Sequence, residues 1–152
     1  MPVTMQQVLA VIDKDEPNYA AFAQMGPEAL PHLEMIIDGN DPLKAAKAAY
    51  AASMIGGAGS VNALRKAAEH HDPQVRIAVA HGLRNLSDAA PSDLVMKSLN
   101  DGDSGVRKLA LGTAGVLKRA DLSQKVEAMA QSDPDEHLRT AASATVTKLN
   151  SR

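Results

Sequence analysis

The chain has 152 residues, a formal net charge of −2 and a pI near 6.2, with 45% apolar and 22% charged residues. That is enough for one domain with its own core, and it gives no electrostatic reason to expect a nucleic-acid or anionic-membrane partner, since both need a concentrated basic surface. Cysteine is absent, which excludes disulfides, thiolate catalysis and Cys-ligated metal centres. Tyr19, Phe22 and Tyr50 are the only aromatic residues and there is no Trp, so the core must be built from Ala, Leu, Val, Ile and Met. Small residues let helix axes approach closely, which favours packed helices. The start, Met1-Pro2-Val3-Thr4-Met5-Gln6-Gln7, lacks a basic region and a long apolar run, so no signal peptide is expected. No segment approaches the roughly 18 apolar residues of a membrane span, and a cytoplasmic location is the expectation.

Thr4 and Gln7 have capping-box spacing, and Val8, Leu9 and Ile12 form an apolar stripe on a first helix. Asp13 to Glu16 reads as a solvated loop. Pro17 suits the first position of a second helix that carries Phe22 and stops at Gly26. Pro27 opens a third helix with Leu30, Leu33, Ile36 and Ile37 on one face. Asp41 caps a fourth, running to Ile55, and Gly56-Gly57-Ala58-Gly59 breaks it as a C-cap and hinge-like turn. No strand precedes that glycine run and no Gly-Lys-Ser or Gly-Lys-Thr follows it, so it is not a phosphate loop. Helices then follow over 60–69, from Asp72 to about Leu86, from Pro91 to Leu99, from Asp103 to near Lys118, from Leu122 to Ala130, and from Asp133-Pro134 to near Leu149. Asp133 and Glu136 have capping-box spacing, and Ser151-Arg152 reads as a tail. No segment alternates with period two. The expectation is an all-α chain of five antiparallel helix pairs, divided as 1–26, 27–56, 60–86, 91–118 and 119–150.

The second helix of each pair repeats. Asp72-Pro73-Gln74-Val75-Arg76 returns 31 residues later as Asp103-Ser104-Gly105-Val106-Arg107, then as Asp135-Glu136-His137-Leu138-Arg139, with a weaker copy at Asp41-Pro42. Fourteen residues after these Asp residues stand Ile55, Leu86, Leu117 and Leu149. Three, seven and eleven residues after them the series Lys44, Val75, Val106, Leu138; Ala48, Val79, Ala110, Ala142; and Ala52, Leu83, Ala114, Val146 complete one helical face. A unit of this length that cannot bury its apolar face alone is the mark of a solenoid.

These openings, with Gly26-Pro27-Glu28-Ala29-Leu30-Pro31-His32-Leu33 as a first helix, resemble the HEAT repeat family in its short form, the kind named after phycobilisome lyase subunits. The resemblance covers roughly residues 15 to 150. It implies a right-handed α-solenoid and leaves the function open, because the fold hosts adaptors, inhibitors, enzyme subunits and nucleic-acid binders. It also implies a ladder between units in which Asp72, Asp103 and Asp135 pair with Arg76, Arg107 and Arg139. Asp is a good helix cap, and a guanidinium can bind a carboxylate with two parallel bonds. Ala45 stands at the Arg position of the Asp41 copy, so the ladder should be broken there. The pair before Gly26 matches poorly, as a terminal cap does.

Positions five, eight, nine and twelve after each Asp should face away from the core, on the side that HEAT-like solenoids use for recognition. They are Ala46, Ala49, Tyr50 and Ser53; Ile77, Ala80, His81 and Arg84; Lys108, Leu111, Gly112 and Gly115; and Thr140, Ser143, Ala144 and Thr147. Two readings stand: a contact surface, or positions buried against neighbouring helices by tight curvature. On the first, Tyr50, Ile77, His81, Arg84, Lys108 and Leu111 are the expected partner contacts, with Tyr50, His81 and Arg84 as anchors because aromatic residues and Arg dominate binding hot spots. His70-His71 point about 100° apart on a helix, and His32, His81 and His137 have no ligand-type partner at i+4, so no metal site is expected. No acid/base pair or nucleophilic triad can be assembled, and no catalytic residue or cofactor is expected. The leading expectation is a non-catalytic module binding a protein or peptide on its concave face. The alternatives are an enzyme-associated subunit resembling the bilin lyases, against which the few aromatics argue, and a nucleic-acid binder, for which the face supplies only Arg84 and Lys108. The small-residue face or an uncovered end could also pair two chains as a homodimer.

Overall fold

The computed structural model describes residues 2–151; Met1 and the tail residue Arg152 lie outside them. The described residues form no strand. They form ten α-helices: α1 (Met5–Ile12), α2 (Ala20–Met25), α3 (Leu30–Ile37), α4 (Pro42–Ser53), α5 (Gly57–Ala68), α6 (Pro73–Gly82), α7 (Ser92–Leu99), α8 (Ser104–Leu117), α9 (Ser123–Ser132) and α10 (Glu136–Asn150). Short 3-10 segments precede α3 and α9 and follow α6. The chain is an all-α solenoid of helix pairs, as the periodicity predicts.

The second helices begin alike. Asp41, Asp72, Asp103 and Asp135 are extended, and each carboxylate accepts a backbone N–H from the first turn of α4, α6, α8 or α10. Each thus satisfies donors that the helix leaves free. The capping box at Thr4 and Gln7 also forms. Several boundaries differ from expectation. Pro17 does not start α2, which begins at Ala20 without a side-chain cap. The glycine run is not a separate hinge: Gly57, Ala58 and Gly59 are the first turn of α5, and only Gly56 and Gly57 take positive φ, 82° and 83°. Asp133 does not cap α10; Asp135 does. The helix from Asp72 is α-helical only to Gly82, continues as 3-10 turns, and breaks at Ser87, where φ is 51°.

The helices lie in two layers, and the second helices set the curvature. Helices α4, α6, α8 and α10 pack closely against one another, whereas α3, α5 and α7 stand further apart, so the stack curves toward the second-helix layer. Residue size is the cause. Ala45, Ala48, Ala49, Ala52, Ala80, Gly82, Ala110, Ala114, Gly115 and Ala142 are buried on these four helices. A Cβ at Gly82 would lie 2.8 Å from Ser53 Oγ on α4. Hydroxyls pin the register where backbones meet: Thr113 Oγ1 on α8 donates to the Ala80 carbonyl at 2.6 Å, and Thr145 Oγ1 on α10 donates to that of Leu111 at 3.3 Å. Larger side chains, among them Phe22, Leu33, Leu64, Leu83, Leu99 and Leu122, fill the space between layers.

The Asp–Arg ladder exists, with different partners from those expected. Arg76 does not hold Asp72. It reaches forward to the next repeat, donating from Nε and Nη2 to Asp101 at 2.8 and 3.2 Å. Arg107 likewise holds Asp133, at 3.0 and 3.2 Å, and not Asp103. The reason is that Asp72 and Asp103 already spend their carboxylates on the N–H groups of their own helices. The true partner stands two residues before each following cap. Asp101 and Asp133 also accept the N–H of Asp103 and Asp135, both at 2.9 Å. Burial would raise both carboxyls; Arg76 and the Asp103 N–H outweigh it for Asp101, the Asp135 N–H and Arg107 for Asp133, and both end below the ordinary carboxylate value. Nη1 of each arginine ties down the loop before its own helix, through the carbonyls of His70 and His71 and of Asp101 and Gly102. In the Asp41 copy Ala45 replaces the arginine, and the matching acceptor position holds His70, whose Nδ1 caps the Asp72 N–H. Arg139 donates Nη1 to the Asp133 carbonyl at 2.7 Å but meets no carboxylate among the described residues, neither Asp135 nor one from a further repeat.

If close approach of α4 and α6 shapes the stack, Gly82→Ala should destabilise the chain by about 1–3 kcal/mol through overpacking, although Ala is the better helix former by about 0.5–1 kcal/mol. Gly102→Ala, with nothing within 4 Å of the added atom, should change stability by less than about 0.5 kcal/mol. Urea unfolding of both variants checks this; a more stable Gly82→Ala would contradict it.

Candidate functional site

At the N-terminal part of the inner layer, α4, α6 and the residue that precedes α2 line an open groove of about 440 Å³. It is lined by Tyr19, Leu43, Ala46, Lys47, Tyr50, Ala78 and His81. Three rings run along it. The centroids of Tyr19 and Tyr50 are 4.8 Å apart with the rings edge-on at 76°, and those of Tyr50 and His81 are 5.0 Å apart at 35°. This row follows from the repeat. Tyr50 and His81 are each the ninth residue after a capping Asp, so they occupy equivalent places on neighbouring helices, and Tyr19 stands one period earlier in the terminal pair. The next equivalent position is Gly112.

Arg84 fills the space that Gly112 leaves. A Cβ at Gly112 would lie 3.1 Å from Arg84 Nη2, so a larger residue would push the guanidinium off α8. Arg84 Nε donates to the His81 carbonyl and to Thr113 Oγ1, both at 3.2 Å, and Nη2 donates to the Leu109 carbonyl at 3.4 Å. Burial lowers its pKa without bringing it near neutrality, because a guanidinium stays charged in proteins. His81 is lowered by burial and then by the Arg84 charge. Tyr19 is raised by burial and by Tyr50. Lys47 closes one side of the groove, its Nζ donating to the Lys14 carbonyl at 2.9 Å and the Ile12 carbonyl at 3.4 Å, at the C-terminal end of α1 where a cation is favoured. Leu43 is 60% exposed at the rim, unusual for a leucine with a core so near.

Of the expected contacts, the structure therefore brings Tyr50 and His81 together in one groove with Arg84 one helical turn beyond. Lys108 is exposed and lies further along. Ile77 is half-buried and packs toward α8, where a Cβ on Gly105 would come within 3.1 Å of it. Leu111 is a correction: at 1% exposure it is core, not surface. It shares that fate with Ala49 and Ala80 in the same row, because the second helices approach too closely to leave the row open. Ser53 and Gly115 are buried for the same reason, whereas Thr140, Ser143, Ala144 and Thr147 on α10, which no further helix covers, are exposed.

Sequence reasoning missed Tyr19, Leu43, Lys47 and Ala78. Tyr19 carries a usable signal, since it precedes Tyr50 by one full period, but it lies in the terminal pair, whose sequence matches the repeat poorly. Among the described residues no group of three or more His, Asp or Glu side chains could hold a metal ion. The rings of His70 and His71 stack, with centroids 4.6 Å apart, and His32 Nε2 is hydrogen-bonded to the Val3 carbonyl at 2.8 Å. Among the described residues no helix is long and apolar enough to cross a membrane.

A family model described as HEAT repeats matches residues 30–111 and again residues 61–147, two ranges that start one repeat apart. The chain belongs to the HEAT-repeat family. HEAT repeats generally mediate protein–protein contacts and are typically non-catalytic. No curated protein matches the chain. The groove spans the edge of the matched region: α4 and α6 are HEAT-repeat helices, while Tyr19 lies before residue 30, in the terminal pair that the family model does not match.

The His81 environment has a measurable consequence. A histidine whose folded pKa lies below its unfolded value of about 6.5 binds fewer protons folded than unfolded, so stability falls as pH drops from about 6.5 through the folded pKa. An NMR titration of the imidazole should give a midpoint below 6.5, and Arg84→Gln should move it part of the way back because burial remains. A midpoint at or above the ordinary value would contradict the geometry.

Proposed function

We propose that this HEAT-repeat chain is a non-catalytic interaction module that holds a segment of a partner protein in the Tyr19–Tyr50–His81 groove. The observation that carries the reading is the row of three rings in edge-on and tilted contact, facing an open, largely apolar concavity. Rings in such a row present wide contact area with few rotatable bonds to freeze, which is why aromatic side chains dominate binding hot spots. The exposed Leu43 extends the apolar surface outward. Neither phenol hydroxyl has a hydrogen-bond partner among the described residues, so both are free to bond a partner's backbone. The carboxylates nearby are occupied by structure: Asp41 and Asp72 cap α4 and α6, and Asp13 pairs with Lys44. Nothing in the groove is arranged to move a proton or attack a bond, and recognition through a preformed surface is the function it supports.

Two variants test this from different sides. Leu43→Asp changes an exposed residue and should leave the melting temperature unaltered. Tyr50→Ala removes the central ring. Affinity capture from an extract of the source cells should recover a partner with the wild-type chain and lose it with both variants by about tenfold or more, as for a hot spot worth at least about 2 kcal/mol. Equal recovery by wild type and both variants would overturn the reading.

A further inference from the structure

We infer that the segment taken by this groove is acidic as well as apolar, and that its carboxylate seats on the Arg84 guanidinium one turn beyond the rings. The inference rests on the groove reading above and deepens it. Its basis is the charge pattern of the inner layer. Positions five, eight, nine and twelve after the four capping Asp residues hold two charged side chains, Arg84 and Lys108, both cationic, and Lys47 adds a third cation at the groove. The chain as a whole is net −2, so its carboxylates have been placed elsewhere, at helix starts, in loops and in the inter-repeat pairs.

Arg84 stands out among the arginines. Arg65, Arg76, Arg107 and Arg119 are each paired with a carboxylate, from Asp93, Asp101, Asp133 and Asp121 respectively. Arg84 has none among the described residues, although it is partly buried. It is held in place by neutral acceptors only, the carbonyls of His81 and Leu109 and the hydroxyl of Thr113, which orient the guanidinium without neutralising it. Nη1 has no acceptor at all among the described residues. A charge taken partly out of water and left unpaired is costly, and a planar fork held by two of its nitrogens is ready to bind a carboxylate with the remaining one. Gly112 lets the guanidinium lie close against α8, where a Cβ would come within 3.1 Å of Nη2. Arg139, also without a carboxylate among the described residues, lies on the last helix, away from the Tyr19–Tyr50–His81 groove.

The spacing constrains the ligand. Arg84 follows His81 by one helical turn, about 5 Å along the axis. An apolar side chain over the His81 end of the ring row and an Asp or Glu over Arg84 are then separated by two residues in an extended peptide, or by three to four on one face of a helix.

The test uses random peptides displayed on phage, selected on the full chain and then measured as synthetic peptides by fluorescence anisotropy. Selected sequences should pair a large apolar residue with an Asp or Glu at one of those spacings. Replacing that acid by its amide should weaken binding to the wild-type chain about tenfold, or about 1.4 kcal/mol, and Arg84→Gln should weaken the acidic peptide similarly while leaving the amide peptide unaffected. Because the peptide-side substitution needs no protein variant, the result stands even if Arg84→Gln folds poorly. Peptides that depend on Tyr50 but show no acid preference would overturn this inference and leave the groove reading intact. Failure to select any peptide, or peptides indifferent to Tyr50→Ala, would overturn both. Retardation of single-stranded DNA in a low-salt gel shift, lost on Arg84→Gln, would assign the cation to nucleic acid and overturn the acidic-peptide ligand.

Discussion

The structure depends on the forked contact that Arg76 and Arg107 each make with the repeat after their own. Arg76 on Asp101 and Arg107 on Asp133 join a helix N-terminus to the loop that launches the next second helix. The same two arginines bind the carbonyls of the loops before their own helices, and the same two aspartates bind N–H groups of the helix caps that follow them. Two chain segments, each a loop with the helix start that follows it, thus meet at each pair. In a stack where each unit touches only its neighbours, such a joint fixes how far one unit turns relative to the next. Pairs as buried as these add less net stability than their charges suggest, because both ions leave water. Their clearest effect is on geometry.

Geometry is what the groove needs. Tyr50 and His81 are neighbours in space because α4 and α6 keep one register over a full period, and a slip of one helix by a residue would turn the rings about 100° apart. The close approach of the second helices is permitted by alanine and glycine and pinned by Thr113 and Thr145. That same closeness removes Leu111, Ala49 and Ala80 from the surface. The inner layer is therefore a close-packed seam that opens into a groove where the terminal pair supplies Tyr19.

The fold was legible because its cause is periodic. Large aliphatics fourteen residues after each Asp and apolar residues at seven and eleven can be counted without a structure. The clasp was half legible. Asp and Arg were recognised as joint residues, but their pairing within one copy was wrong, since a capping carboxylate is already engaged and the real acceptors, Asp101 and Asp133, sit outside the repeated motif as two separate loop residues. The candidate site was legible where copies differ within the counted helices, at Tyr50, His81 and Arg84. It was hidden at Tyr19 and Lys47, whose roles come from how the terminal pair folds against α4. Leu111 was misread because a helical wheel has two sides, whereas a helix inside a tightly curved layer touches neighbours on three.

A double-mutant cycle on Arg107 and Asp133 tests the central claim most directly. Urea unfolding of the wild type, Arg107→Ala, Asp133→Ala and the double variant gives the coupling between the two side chains, free of what each does alone. The forked, largely buried geometry predicts a coupling of about 1.5–3 kcal/mol, the range of hydrogen bonds to charged groups. A coupling within about 0.5 kcal/mol of zero, the limit for independent sites, would contradict the view that this contact joins the repeats.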